Sequence, residues 1–371
     1  MNFTVTKSAL YEALQRMISI VPTKTTIPIL TNILFEVEQT RLALTGTDLE
    51  VSILTCVEVL GERDGKAAFP AKKLFDLIRE LPDTPLAFEC DAGNRLTIKT
   101  EKGQYKISGE SSDDYPHISA EEHALSFSYA PATFMKMVEK TIFAVSSDEL
   151  RTTLMGVLLD LRPNELRMVA TDGHRLSKIQ DGQFRHTGEA VPVIIPVKAL
   201  QLLSRNIGAA KDMELAVSRD HITFKLGETT IYSKVINGQY PAYERVIPND
   251  NTLLMQVDRD LLSAAVRRSS IFASQHTHQV RWLVEPNALT IVAEDVEMGG
   301  NSRETIPVEY SGESMEIAYN AHYVLEIMRH LDAEQAVFKL KDPGNAAIIE
   351  PLTPPQGLDF MMLLMPIRLN E

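Results

Sequence analysis

The stretch Ala170-Thr171-Asp172-Gly173-His174-Arg175-Leu176 decides the fold, because its aspartate recurs twice in similar surroundings. Asp48 stands in Leu-Thr-Gly-Thr-Asp-Leu-Glu, 124 residues upstream, and Asp295 stands in Ile-Val-Ala-Glu-Asp-Val-Glu, 123 residues downstream. A near-constant period of this length indicates repeated domains, since solenoid repeats span roughly 20–50 residues. The period predicts three copies of one domain, and Gly-His-Arg-Leu occurs only in the middle copy.

Composition is typical of a soluble globular protein. The chain has 371 residues, of which 44% are hydrophobic and 23% charged, and a formal net charge of −13. This length exceeds one ordinary core, so we predict three domains at residues 1–122, 123–250 and 251–371. The two cysteines, Cys56 and Cys90, form no metal or disulfide pattern and are typical of buried thiols in a reducing cytoplasm. With no signal peptide and no long apolar run, we expect a cytoplasmic protein without a membrane partner.

Each third repeats the order helix, strands, helix, strands. Short alternating strands follow each helix, which favours an α+β fold with antiparallel sheets over a parallel βαβ sheet. The opening helices are predicted from the apolar stripes Leu10/Leu14/Met17/Ile18/Val21, Phe134/Met137/Val138 and Leu261/Leu262/Ala265/Val266. The second helices are predicted over residues 72–81, 198–207 and 322–331.

The predicted helices are basic although the chain is acidic. Their segments carry a net charge of +6, which leaves −19 for the rest of the chain. If all six helices faced one cavity, that cavity would attract phosphates inside an acidic shell. The alternative is that Lys and Arg simply favour the solvated faces of helices.

Two sequence features resemble parts of a catalytic or metal site, but the other residues of such a site are not evident in the sequence. Asp172 and His174 resemble a carboxylate that orients a base, yet no nucleophile motif such as G-x-S-x-G accompanies them. The aspartate also recurs in copies without the histidine, so we predict that it satisfies backbone groups in a turn. His276-Thr277-His278 is either half of a metal site or a solvated loop, and no ligand spacing supports the metal. We predict no catalytic residues, no metal and no cofactor.

The middle copy and the chain end carry the unusual residues. Gly173 frees the backbone, and His174 and Arg175 offer polar edges beside Leu176. The end of the chain, Phe360-Met361-Met362-Leu363-Leu364-Met365-Pro366-Ile367-Arg368-Leu369, is apolar where chain ends are usually polar. It is expected to form a buried strand first and the wall of an adaptable binding groove last.

Several of these segments resemble one family over essentially the whole chain, the bacterial sliding clamps, which are beta subunits of DNA polymerase III. The resemblance rests on residues 44–50 and 170–176, on Pro241 with Tyr243-Glu244-Arg245-Val246-Ile247-Pro248, on Tyr310-Ser311-Gly312, and on Met365-Pro366-Ile367-Arg368-Leu369. It implies a non-catalytic processivity factor whose three-domain chains close head to tail as a homodimeric ring around double-stranded DNA. The implied partners are the replicative polymerase catalytic subunit, the clamp loader, and other polymerases and repair proteins that carry short Gln/Leu/Phe peptides. A scaffold ring that does not thread DNA and an enzyme using Asp172 and His174 are the alternatives.

The resemblance also implies three sets of site residues. The partner-peptide groove would comprise Leu154, Thr171, Gly173, His174, Arg175, Leu176, Pro241, Arg245, Val246, Asn320, Tyr323, Leu363, Leu364, Met365, Pro366, Ile367, Arg368 and Leu369. DNA would be contacted by Lys24, Arg79 and Lys198. The dimer interface would join Lys73, Arg95, Tyr105 and the neighbouring Lys102 of one chain to Ile271, Phe272, Glu297 and Glu304 of the other.

Two short segments depart from the family pattern. Thr152 and Thr153 stand where family members can carry aromatic DNA contacts, and Asn370-Glu371 extend the chain beyond Leu369. The two added residues either crowd the groove or project from it. Ile271 and Phe272 also have an alternative role, as ordinary core residues at the end of a helix.

Overall fold

The structure, a computed structural model, describes residues 1–117, 125–186, 190–208, 210–295 and 299–368. Across these ranges the helices are α1 (Lys7–Met17), α2 (Ala71–Glu80), α3 (Pro131–Glu139), α4 (Val197–Asn206), α5 (Arg259–Ser270) and α6 (Ala321–Arg329). The three second helices, α2, α4 and α6, each begin one residue before the predicted start. Helix α1 ends at Met17 with Ile18 as its C-cap, short of the predicted Val21. Pro22 disfavours a helical conformation at Val21 itself.

Strands connect the helices in every third of the chain. In the first third they are β1 (Asn2–Thr6), β2 (Asn32–Glu38), β3 (Arg41–Thr47), β4 (Val51–Glu58), β5 (Leu60–Arg63), β6 (Gly65–Pro70), β7 (Pro85–Cys90), β8 (Arg95–Lys99) and β9 (Gln104–Ser108). In the middle third they are β10 (Leu125–Tyr129), β11 (Gly156–Arg162), β12 (Glu165–Thr171), β13 (Arg175–Asp181), β14 (Val191–Pro196), β15 (Met213–Val217), β16 (His221–Leu226) and β17 (Thr229–Lys234). In the last third they are β18 (Leu253–Asp258), β19 (Gln279–Glu285), β20 (Ala288–Asp295), β21 (Gly300–Pro307), β22 (Glu309–Tyr310), β23 (Met315–Asn320), β24 (Gln335–Leu340), β25 (Ala347–Pro351) and β26 (Asp359–Leu364).

The chain divides into two compact units. Unit 1 contains Met1–Phe134 and Ile195–Val235, and unit 2 contains Met135–Ile194 and Ile236–Glu371. Unit 1 holds a five-stranded sheet in the order β5-β1-β7-β8-β9 and an eight-stranded sheet in the order β10-β15-β16-β17-β4-β3-β2-β6. Since β17 pairs antiparallel with β4, the larger sheet is continuous between the first and middle thirds of the sequence.

Unit 2 has the same construction. A nine-stranded sheet runs β14-β11-β12-β13-β26-β25-β24-β18-β22, and a four-stranded sheet runs β21-β20-β19-β23. Here β13 of the middle third pairs antiparallel with β26 of the last third. The antiparallel α+β class predicted from the sequence is confirmed in both units.

Aromatic side chains fill the core of each unit. In unit 1, Phe3 stacks on Phe88 with ring centres 4.8 Å apart. In unit 2, the fully buried Trp282 meets Tyr319 and Phe338 edge-on, at 5.0 and 5.3 Å between ring centres. These contacts bury large apolar surfaces, which is the dominant stabilising term in a fold of this kind.

Helix α3 is joined to the end of α6 by a buried lysine. The ammonium group of Lys140, which is 1% exposed, donates to the carbonyl of His330 at 2.7 Å and to Asp332 Oδ1 at 2.5 Å. The ring of His330 stacks on Phe143, with ring centres 4.0 Å apart. A buried charge is stable only when paired and hydrogen-bonded, so these contacts tie the middle third to the last third within unit 2.

Candidate functional site

The turn after β12 is shaped by two side chains that bond to the backbone. Asp172 Oδ1 accepts hydrogen bonds from the N–H groups of His174 at 2.9 Å and Arg175 at 3.0 Å. Thr171 Oγ1 accepts from the N–H of Gly173 at 3.1 Å and donates to the carbonyl of Arg175 at 2.6 Å. Gly173 has a φ of +91°, which is costly for residues with a Cβ. The predicted structural role of Asp172 is confirmed.

The first third contains the same turn. Asp48 Oδ1 accepts from the N–H groups of Glu50 at 3.0 Å and Val51 at 2.8 Å, and Thr47 Oγ1 donates to the carbonyl of Val51 at 3.1 Å. Leu49, at φ +78°, takes the place of the glycine. The turn is therefore part of the repeat, and what distinguishes the middle copy is the set of side chains it presents.

Arg175 differs from the sequence-based expectation, which assigned it a polar edge at the surface. Its side chain is 7% exposed, and it donates to Asp172 Oδ2 at 3.2 Å, to Glu326 Oε2 at 2.5 Å and to the carbonyl of Phe143 at 2.8 Å. Its guanidinium carbon lies 4.6 Å from the centre of the Tyr323 ring. Because the planar guanidinium has five donors in a rigid fork, Arg175 can bind Asp172 of the turn and Glu326 of α6 at the same time.

His174 is exposed at the turn, as is its neighbour Gly173. Its ring lies almost parallel to that of Tyr323, with ring centres 6.1 Å apart. Its carbonyl accepts a hydrogen bond of 2.9 Å from the N–H of Met365. Asn320 caps α6, because its Oδ1 accepts from the N–H groups of His322 at 2.9 Å and Tyr323 at 3.4 Å. The turn, the start of α6 and the end of the chain thus meet around His174.

An apolar floor lies beside this turn, formed by one cluster of buried side chains. Three predicted groove residues belong to it: Leu154, Leu176 and Leu363. The cluster also contains residues that sequence reasoning missed, namely Leu158, Val169, Ile194, Tyr240, Tyr243, Ala346, Ile348 and Met361. The sequence contains one indication of Tyr240, because Tyr240-Pro241 repeats Tyr115-Pro116 at a spacing of 125 residues.

The rim above the floor exposes apolar side chains. Val246 is 57% exposed and Met365 is 40% exposed, and Pro241 and Arg245 are exposed beside Val246. Such exposure next to a buried apolar cluster is typical of a binding groove. Arg151 is a further neighbour that the sequence did not indicate, because its Nη1 donates to the carbonyl of Asp172 at 2.9 Å.

The chain end is divided between fold and surface. Leu364 is fully buried and alternates with Leu363 along β26, so the two side chains face opposite sides of the sheet. Ile367 is partly buried, and its N–H donates to the carbonyl of Ala318 at 2.8 Å. Pro366 is partly buried and Arg368 is exposed, whereas Leu369 lies outside the described residues.

Burial acts on the tyrosines of the site. It raises the pKa of the Tyr323 phenol, with the charge of Asp172 adding to the effect, and it raises the pKa of Tyr240. Both phenols are therefore neutral near pH 7 and present apolar rings with a polar tip. This environment suits the binding of an apolar side chain rather than proton transfer.

Two of the residues predicted on the DNA side are engaged in ion pairs within unit 1. Lys198, on α4, pairs with Asp48, the repeated aspartate of the first third. Arg79, on α2, lies 3.4 Å from Asp76 and 3.0 Å from Glu80. Lys24 is exposed in the loop after α1.

The predicted interface residues fall on strands β8, β9 and β21, on α2, and on the segments after β8 and α5. Tyr105 is 36% exposed on β9, the last strand of the five-stranded sheet, and Lys73 and Lys102 are exposed in the same unit. Arg95 pairs with Asp91 at 2.9 Å. Ile271 and Phe272 follow α5 and are 76% and 40% exposed, so they are not ordinary core residues. Glu304 lies on the edge strand β21 and pairs with Arg268, and Glu297 lies outside the described residues.

The His276-Thr277-His278 loop packs against the start of α6. The ring of His278 lies 4.1 Å from that of His322, and the carbonyl of His278 accepts from the N–H of Ala321 at 2.8 Å. Within the described ranges, no three metal-ligating side chains converge. The same part of the chain contains no helix long and apolar enough to cross a membrane.

Family models for the DNA polymerase III beta subunit match the chain in three consecutive segments. The N-terminal domain model matches residues 1–119, the central domain model matches 129–242 and the C-terminal domain model matches 244–368. The chain belongs to the beta sliding clamp family. Members of this family are processivity factors in DNA replication and are not enzymes, so Asp172 and His174 serve no catalytic reaction.

Individual clamps agree with this assignment over the full length. The beta sliding clamp of Caulobacter vibrioides is 32% identical over 380 residues, which cover 99% of this chain and 100% of that protein. A crystal structure of DNA polymerase III subunit beta from Pseudomonas aeruginosa is 31% identical, covers 100% of both chains and has a TM-score of 0.95. A second Pseudomonas aeruginosa clamp structure, bound to griselimycin, is 30% identical with a TM-score of 0.93 and the same coverage. The predicted three-domain clamp fold is confirmed.

Proposed function

We propose that two copies of this chain pair head to tail into a ring around double-stranded DNA. Each copy would bind short peptides of the replicative polymerase, the clamp loader and repair proteins in the groove beside His174. The ring would hold these partners on DNA by topology, without chemistry of its own.

A repeated strand junction is the observation that carries the ring proposal. Strand β17, the last of the middle third, pairs with β4, and β26, the last of the last third, pairs with β13. By the same repeat, β9 is the last strand of the first third, and β21 is the counterpart of β4 and β13. Each of these two strands lies at the edge of its sheet. Exposed edges readily pair with another chain, so β9 of one copy is expected to pair with β21 of the other.

The internal junctions also suggest a register for this pairing. Ile231 lies opposite Ile53 in the first junction, and Met362 lies opposite Ser177 in the second. Both junctions are antiparallel and use the same repeat positions. A head-to-tail contact of this kind is heterologous, and it closes when the rotation between copies completes a circle.

Transferred to the free edges, the register places Tyr105 opposite Ser302 of the other copy. We expect the Tyr105→Cys, Ser302→Cys double variant to form a covalent dimer under mild oxidation, because Cβ atoms of opposed residues lie within about 5.5 Å. The matched control is the Tyr105→Cys, Arg303→Cys double variant. Residue 303 follows Ser302 on β21, so its side chain points to the opposite face of the sheet. Equal cross-linking of both variants, or monomers for both, would count against the junction.

Charge supports passage of DNA in a limited way. The helical segments carry a net charge of +6 in a chain of −13. Lys198 pairs with Asp48 and Arg79 pairs with Glu80, and these ion pairs reduce the attraction of both side chains for phosphate. We therefore expect weak attraction and topological retention. The loaded clamp should remain on a nicked circle and leave when the circle is cut, whereas equal retention on linear and circular DNA would reject the ring. Lys198→Glu should weaken loading. It should also make the fall of log K with log salt concentration less steep, by about one unit of slope.

The groove has the parts needed to bind an extended peptide. Val246 and Met365 are exposed and would form the apolar walls, while the buried cluster with Leu176 and Leu363 would form the floor. Burying one Leu or Phe side chain contributes roughly 1.5–3 kcal/mol. With two such residues and the hydrogen bonds of a polar Gln and of the peptide backbone, we expect a Kd of about 1 μM. Two grooves per ring would raise the apparent affinity for a two-headed partner.

A further inference from the structure

A cavity of about 530 Å³ lies beside the groove, in the part of unit 2 where β11, β14 and the segment before Val246 meet. Leu158, Ile194 and Tyr240 give it an apolar lining. These three side chains also belong to the floor of the groove, and Pro241 lies both at the groove rim and on the cavity wall. The cavity is therefore continuous with the proposed peptide site.

The repeat provides an internal comparison for this cavity. In the first third, Leu34, Tyr115 and Pro116 occupy the positions of Leu158, Tyr240 and Pro241, and the cavity they line measures about 120 Å³. The cavity is thus larger in the middle copy, which is also the copy that carries the residues around His174. The first-third counterparts of Tyr243 and Glu244 lie outside the described residues.

The charged groups at the cavity favour a ligand that carries a positive charge. Glu244 accepts at Oε1 from Arg162 at 3.2 Å and from Arg167 at 2.5 Å, and Asp160 Oδ2 accepts from Arg162 at 2.8 Å. With Glu165, which pairs with Arg167 at 2.5 Å, the network has three carboxylates and two guanidinium groups. Lys178 also interacts electrostatically with Glu165 and Glu244, and Arg167 Nε has no hydrogen-bond partner among the described residues. The negative group at the cavity itself is the carboxylate of Glu244.

Glu244 is the accessible end of this network. Its side chain is 55% exposed, whereas that of Asp160 is 8% exposed and that of Arg167 is 14% exposed. The hydrogen bond from Arg167 holds the pKa of Glu244 below its usual range, so the carboxylate stays charged near pH 7. An incoming ammonium or guanidinium group can approach it without displacing a buried pair.

We propose that this cavity binds the flank of the groove-bound peptide, taking one aliphatic side chain inside and an adjacent Lys or Arg against Glu244. The inference rests on the proposed peptide-binding function and extends it to the chemistry of the flanking residues. A partner segment with that apolar-basic pair would bind more tightly than the groove motif alone. An acidic flank would be disfavoured by the same charge.

Peptide titrations test the cavity separately from the groove. The peptides are a fluorescent Gln-and-Leu/Phe core, the core extended at either end by Gly-Ile-Lys, and the core extended by Gly-Ile-Glu. The full-length protein should bind one Ile-Lys peptide about tenfold more tightly than the core, which corresponds to about 1.4 kcal/mol. The Ile-Glu peptides should bind no more tightly than the core.

Two variants place that gain at the cavity. Glu244→Gln removes the charge and Ala242→Trp fills the opening, and each should abolish the gain while leaving the affinity for the core peptide unchanged. Glu285→Gln, at an exposed carboxylate outside the cavity lining, should keep the full gain. Thermal unfolding checks that each variant is folded, and either variant suffices if the other is not.

The outcomes separate the two proposals. If the core peptide binds but neither extension adds affinity, or if the gain survives both variants, the cavity is not the binding site for the flank and the inference is wrong. If the core peptide itself fails to bind to the native protein, the proposed groove function is wrong and the inference falls with it. Equal gains from Ile-Lys and Ile-Glu would overturn the role of Glu244.

Discussion

The backbone N–H of Met365 donates a 2.9 Å hydrogen bond to the carbonyl of His174, and Lys234 makes the same bond to Glu50 in the first junction. The bond is thus a repeated feature of the fold. At both places it holds the end of the last strand next to the aspartate turn. In unit 2 the bonded residue is an exposed methionine, which would supply an apolar wall of the proposed groove on a fixed backbone.

Substitutions at the groove rim should affect binding without affecting folding. Met365→Asp and Val246→Asp place a charge where a peptide would bury an apolar side chain, so each should weaken the core peptide at least tenfold, a loss of about 1.4 kcal/mol. Both positions are exposed, so the melting temperature should change little. Fluorescence titration and thermal unfolding measure the two effects. Unchanged affinity in both variants would place the groove elsewhere.

Arg175→Ala should mainly destabilise unit 2. The substitution leaves Asp172 and the carbonyl of Phe143 without their buried donor, and breaking a buried pair costs about 3–5 kcal/mol. The free energy of unfolding, measured with denaturant, should fall accordingly. Arg175→Lys keeps the charge but not the fork, so an intermediate loss is expected. A loss below about 0.5 kcal/mol, typical of surface positions, would contradict the buried role.

Ile271→Ala with Phe272→Ala should produce folded monomers. Ile271 is 76% exposed, and the ring of Phe272 lies beside Gly300 at the start of β21. The pair therefore stands next to the edge proposed to join the second copy. Sedimentation should show the loss of the dimer, and circular dichroism should be unchanged. Leu254→Ala, at another exposed apolar side chain of the same unit, should leave the dimer intact. An intact dimer in the double variant would contradict the assignment.

His330 should make stability depend on pH in a defined direction. Burial lowers its pKa below the ordinary 6.5, so the unfolded chain binds the proton more tightly than the folded chain. Stability from this residue is present above pH 6.5 and is lost as the pH falls through 6.5 towards the folded pKa. The difference in melting temperature between pH 7.5 and 5.5 should therefore be smaller in His330→Asn than in the native protein. An equal difference would contradict this contribution.

The repeat made much of the fold predictable. The spacing of Asp48, Asp172 and Asp295 predicted three similar domains, and the absence of the histidine from two copies predicted a structural role for the aspartate. Such inferences succeed because local backbone geometry recurs wherever the same turn side chains recur. The helical stripes succeeded for the same reason, since each depends on residues three or four positions apart.

Long-range contacts limited the prediction of the site. The donors of Arg175 reach Phe143 and Glu326, which are 32 and 151 residues away in sequence. No periodicity relates these positions, so an arginine beside a histidine was taken for a surface residue. Ala346 and Ile348 were missed similarly, because short apolar residues on a strand do not reveal which cluster they join.

The burial of Arg175 has a consequence for drug resistance. An inhibitor of the proposed groove would contact residues that can be substituted with little loss of stability, such as the exposed Val246 and Met365. It would also touch the turn whose shape depends on Asp172 and Arg175, where most replacements would weaken the fold as well as the contact. A compound that binds the backbone of the turn and the face of His174, and makes little use of the rim, would therefore leave few viable escape mutations.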